Sequence, residues 1–156
     1  MGRIRSLSLK EKEALSADIF SKQPALLAHV LVLSKLDVPM QKVDRVLHIL
    51  LVLYDLFTRT TPAGLPQVSE DILDQVNANQ LALLKLVDTE ERAEARRLTE
   101  LAAISHPEVN ALAFATHDLI ESGITNMLAR EDEYCVRAVL TLVDAFAQAK
   151  RMAQQK

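Results

Sequence analysis

Asp44-Arg45-Val46-Leu47-His48-Ile49-Leu50-Leu51-Val52-Leu53-Tyr54-Asp55 is the stretch that decides this fold. Between its charged ends only His48 and Tyr54 break an aliphatic run. The run is shorter than the ~20 apolar residues that a membrane-spanning helix needs. It also lacks the broad polar side of an ordinary surface helix. It reads as a central helix, about 39–58, packed on several sides within a domain or between two copies of the chain.

Working outward, Pro39 opens that helix at a position where a missing N–H and a fixed φ do no harm. Upstream, Pro24 starts a second helix that must stop near Asp37, because Val38 precedes Pro39 and is pushed out of the α region. A first helix, Leu9 to Ser21, begins at the capping box Ser8-Leu9-Lys10-Glu11, which satisfies two orphan N–H groups reciprocally. Downstream comes the Pro- and Gly-containing loop 60–67.

Beyond the loop, Ser69 caps a fourth helix with Glu70 and Asp71 in its first turn and Ile72, Val76, Leu83 and Val87 as its stripe. A fifth, about 89–104, is mostly solvated and contributes Leu98, Leu101 and Ile104. A sixth opens on a second capping box, Ser105-His106-Pro107-Glu108, and runs to Met127. A seventh carries Val136, Val139, Val143 and Phe146, with a break expected at 130–133 and Asp132 as its cap. One continuous helix across 130–133 is the alternative. No alternating strand pattern bounded by turns is present. The expectation is an all-α, single-domain bundle of six or seven helices, mostly antiparallel, because most connections are short.

Composition narrows the function classes. The 156 residues suit one domain, and a chain this long buries enough surface to fold without disulfides or metal. Apolar residues make up 49% and charged residues 25%, the balance of a globular protein. Aromatic residues are only 4%, with no Trp, so stacking platforms for bases are scarce. The net charge of −3 argues against a duplex-binding surface. Residues 1–7 read as a flexible basic arm containing Arg3 and Arg5. Cys135 is the single cysteine and no apolar leader precedes Lys12, so a reducing cytoplasm is the expected setting.

Two constellations carry chemistry. Asp44, His48, Leu51 and Asp55 fall within one narrow arc of the third helix, at ~100° per residue. A carboxylate one turn from an imidazole can orient it or share a metal with it. The bland reading is a thin solvent-facing stripe. On the sixth helix, His117 and Glu121 repeat the spacing. If the two helices are neighbours, Asp44, His48, His117 and Glu121 form a candidate metal site. His29 lies among apolar residues and reads as a core histidine bonded to a backbone carbonyl; Asn79 and Gln80 interrupt the stripe of the fourth helix. Phosphate loops, nucleophile elbows and His-Glu-x-x-His are absent, and no motif calls for a cofactor.

The leading expectation is a non-catalytic helical interaction or regulatory module that self-associates. Two copies of the third helix would pair through Val46, Ile49, Leu50 and Leu53, in the commonest closed assembly. A metal-dependent or small-molecule-binding enzyme using the Asp/His and His/Glu pairs competes with it. A third reading is a transcriptional regulator contacting DNA through the basic arm.

Overall fold

The computed structural model describes residues 5–89, 92–125 and 129–156, without the side chains at 84, 86–89, 92, 95 and 98. Arg3, Met127 and the side chains of Val87 and Leu98 thus lie outside the described residues. Among the described residues there are seven α-helices and no strand: α1 Leu9–Lys22, α2 Pro24–Leu31, α3 Met40–Thr60, α4 Glu70–Thr89, α5 Arg92–Ile104, α6 Val109–Glu121 and α7 Arg130–Gln154. The bundle is all-α, and no helix among the described residues is long and apolar enough to cross a membrane.

The helix boundaries follow local chemistry. At the start of α1, Glu11 N–H donates to Ser8 Oγ at 3.2 Å and Ser8 N–H to Glu11 Oε2 at 2.8 Å, completing the capping box. The second helix is shorter than its sequence suggests. Its last turns tighten into a 3-10 helix, Val32–Leu36, which stops at Asp37 in a left-handed conformation, φ 62°. An Asp tolerates that φ better than most residues. The α6–α7 break falls earlier than expected, since 130–133 lie inside α7 and α6 ends at Glu121: Gly123, at φ 73°, and Ile124 donate back to the carbonyls of Ile120 and Leu119, a Schellman stop. Asp132 is not the cap of α7, however. Ala129 holds that position, and the Asp132 carboxylate is taken by Lys42 at 2.6 Å.

The box at Ser105–Glu108 does not form either. Ser105 donates its hydroxyl to Leu101 O at 2.6 Å, closing α5, and α6 starts only at Val109. Ser105 therefore belongs to the preceding helix, too far back to cap the next one.

The innermost pair is α3 and α7. Their first turns meet at Lys42 and Asp132. Near their other ends Phe57 stacks on Phe146, centroids 5.1 Å apart. Start meets start and end meets end, so these two helices run parallel; three helices intervene between them in the chain. In contrast α4 is antiparallel to α7, since Gln75 reaches Gln148 and Gln80 reaches Asp144. The side chains of α1, α2 and α6 close the remaining sides of α3.

That enclosure corrects the expected dimer face. Val46, Ile49, Leu50 and Leu53 each have 0% exposure within a single chain. Each buried large aliphatic contributes ~1.5–3 kcal/mol relative to exposure, and α7 with its neighbours already supplies that burial. None of the four is presented to a second copy.

Gln23 gives the fold an unexpected staple. Fully buried, it donates to Pro66 O at 2.9 Å and accepts from Val68 N–H at 2.8 Å. One amide thereby pins the 61–69 connection to the α1–α2 corner.

Candidate functional site

The four residues expected to bind metal do not converge. Asp44 and His48 line a cleft with Lys12 and Ser16 of α1 and Leu27 and Leu31 of α2. His117 faces a different groove, against α4 and α5, and Glu121 is exposed. The side chain that α6 turns toward α3 is Asp118, buried and paired with Arg45. Successive helical side chains diverge by ~100°, so His117 points elsewhere. Among the described residues no three His, Cys, Asp or Glu side chains gather in a set able to hold a metal ion.

The environment of His48 also differs from a carboxylate-supported ligand. Burial, then the positive charges of Lys12 and Arg45, hold its pKa below the usual 6.5, against a weaker pull from Asp118. At the other end of the same arc Asp55 is buried and accepts from Arg59 at 2.9 Å and Arg5 at 3.2 Å. Arg5, from the expected basic arm, is thus engaged on α3 and on Glu11. Cys135 is fully buried, and burial, followed by the Asp132 charge, pushes its thiol up to about 11. Any lowering by the helix terminus is outweighed, and a thiol in this state is no nucleophile at neutral pH.

A more organised site lies between α4, α5, α6 and α7. It is an open groove of about 570 Å³, within the ~300–1,000 Å³ typical of binding clefts. One face of α6 forms its long wall: Val109, Leu112, Ala113, Thr116, His117 and Ile120. Those positions are i, i+3, i+4, i+7, i+8 and i+11, a stripe ~16 Å long at the helical rise. From α5 come the small residues Thr99, Ala102 and Ala103, and from α4 Leu83. The apolar rim is open to water, with Leu83 42%, Val109 41% and Ile120 57% exposed.

The floor is polar and internally satisfied. Glu108 N–H can only donate, so His106 Nδ1, at 3.0 Å, must accept. The ring proton then resides on Nε2, which donates to Asp144 Oδ1 at 2.7 Å. Asp144 Oδ2 accepts from Gln80 Nε2 at 2.8 Å, and Gln80 Oε1 accepts from the Thr141 hydroxyl at 3.0 Å. Both nitrogens of His106 are committed, which leaves neither as a general base or a metal ligand. The network ties the α5–α6 connection and α4 to one turn of α7.

The chain matches no family model, no curated protein and no solved structure. The reading of the groove therefore rests on its own chemistry. Sequence reasoning missed His106 and Asp144 as a pair. Two signals were available: Gln80 within the stripe of α4, and Asp144 as a lone carboxylate inside Leu142-Val143-Asp144-Ala145-Phe146.

Proposed function

We propose that this protein is a non-catalytic interaction module of the reducing cytoplasm that receives an amphipathic helix of another protein in the α4–α7 groove. The observation that carries the reading is the unbroken stripe of α6 along an open, apolar-walled trough whose floor groups are already hydrogen-bonded. A helix laid in such a trough anchors through side chains at i, i+3, i+4 and i+7. A small molecule sunk in it leaves the apolar rim in water; a helix covers groove and rim together. Among the described lining residues Asp144 alone carries a formal charge. The complementary helix accordingly bears an apolar stripe with a Lys or Arg placed to reach that carboxylate.

The test uses a synthetic amphipathic peptide of about 14 residues, Leu and Ala on one face with a single Lys among them, against a scrambled peptide of identical composition. The patterned peptide should bind at least about tenfold more tightly, and Ile120→Glu should weaken it by a similar factor. Asp144→Asn should weaken the Lys-bearing peptide more than one with Leu in that position. Equal binding of the two peptides, or binding indifferent to Ile120→Glu, overturns the reading. A folded mass that is twice the chain's, and that Ile120→Glu returns to one chain, assigns the groove to a second copy instead.

A further inference from the structure

A second, smaller cavity of about 200 Å³ opens where α2 and the 3-10 helix meet α4 and α7. His29 stands in its wall. Nε2 of the ring is fully buried and has no partner among the described residues. In a neutral imidazole one nitrogen accepts, and the unpartnered Nε2 is able to be that one. Burial, outweighing a weaker contribution from the Ala138 backbone, holds the His29 pKa down and keeps the ring neutral.

Asn77 from α4 and Tyr134 and Arg137 from α7 line the same cavity. None of these three has a side-chain hydrogen bond or ion pair among the described residues, although Arg137 is only partly exposed. A buried ring nitrogen without a partner costs ~1–3 kcal/mol, and the partly exposed guanidinium of Arg137 has no anion beside it among the described residues. Both groups line one space, whose remaining wall is mostly apolar: Val32, Leu33, Leu36 and Ala138, with Thr141.

We propose that this cavity is a binding site for a small monocarboxylate that also carries a hydroxyl or ammonium donor. Arg137 takes the carboxylate through its planar fork. The donor on the neighbouring carbon bonds His29 Nε2, and the short carbon chain lies on Val32 and Leu36. At ~30 Å³ per water, the space equals roughly six or seven waters, enough for a three-carbon hydroxy acid or amino acid and too small for a nucleotide. This site is separate from the α4–α7 groove, so either assignment can fail alone.

Calorimetric titration of the full chain with lactate, alanine, propanoate and inorganic phosphate tests it. Lactate or alanine should bind, with propanoate at least about tenfold weaker because it lacks the donor. Arg137→Gln should abolish carboxylate binding, and His29→Leu should erase the preference for lactate over propanoate. Should either variant fail to fold, the His29 ring resonances of the unaltered chain provide the second readout, shifting on addition of lactate. No binding by lactate or alanine, equal binding of propanoate, binding of phosphate alone, unchanged affinity in Arg137→Gln, or an unmoved His29 signal overturns the proposal.

Discussion

The Lys42 ammonium lies 2.6 Å from the Asp132 carboxylate, across 90 residues of chain, and fastens the first turn of α3 to the first turn of α7. The Asp132 side chain is 4% exposed and that of Lys42 25%, while Glu131, also 2.6 Å from the ammonium, is 38% exposed. Asp132 is the larger cause holding the Lys42 pKa above its ordinary value. The two carboxylates should thus weigh very differently. Asp132→Ala is expected to cost about 1–2 kcal/mol, because Lys42 retains Glu131 and some water. Glu131→Ala is expected to cost under about 0.5 kcal/mol. Urea denaturation of both variants checks this, and equal losses would disprove the asymmetry.

Acid sensitivity near neutrality should trace to two histidines. Burial is the leading cause lowering the pKa of both His29 and His48 below 6.5. Between the lowered values and 6.5 the unfolded chain binds more protons than the folded one. Stability from these rings is complete above 6.5 and is lost as pH falls through the folded values. The denaturant midpoint should drop between about pH 7.5 and pH 5.5. His48→Gln and His29→Leu should each shrink that drop. Glu11, pulled down to about 2 chiefly by the Ser8 backbone bond, and Asp18, lowered by Tyr54, titrate below this window. A wild-type midpoint that rises on acidification would refute the assignment.

Cys135 should resist labelling for as long as the fold persists. With the thiol pushed up to about 11 and the residue sealed in the core, an aromatic disulfide reagent at about pH 8 finds almost no thiolate. Labelling of the native chain is expected to run at least ~100-fold slower than in denaturing guanidinium. Comparable rates in the two conditions would place the thiol outside the core.

Elements governed by neighbours in sequence were legible in the chain, while relations across the bundle were not. Ser8 with Glu11, Pro24, Pro39 and Ser69 mark helix starts because a cap is settled within four residues. Asp132 misled for the same reason: it is a good local cap, but a cation from α3 competes for it. The apolar run 46–53 correctly announced an enclosed helix. It carried no statement of what encloses it, and the enclosing surface is α7 rather than a second copy. Likewise His48 and His117 share a spacing with carboxylates, yet rotation of α6 places Asp118 inward instead. His106 meets Asp144 only through the packing of α6 on α7, and no periodicity encodes that meeting.

The enclosure of α3 makes a separable prediction about Leu50. Its side chain is fully buried in the chain's own core, so Leu50→Ala removes contacts and leaves a cavity. A loss of ~2–5 kcal/mol follows, depending on how far the helices around α3 relax into the space. Leu50→Met conserves volume and should cost less than ~1.5 kcal/mol. By comparison Leu101, 51% exposed on α5, should tolerate alanine within ~0.5 kcal/mol. The decisive measurement is the difference in denaturant midpoint between Leu50→Ala and the unaltered chain, repeated at about tenfold higher protein concentration. A side chain buried within one molecule gives the same difference at both concentrations. If Leu50 were instead shared between two copies, association would strengthen the unaltered chain selectively at the higher concentration, and the difference would widen.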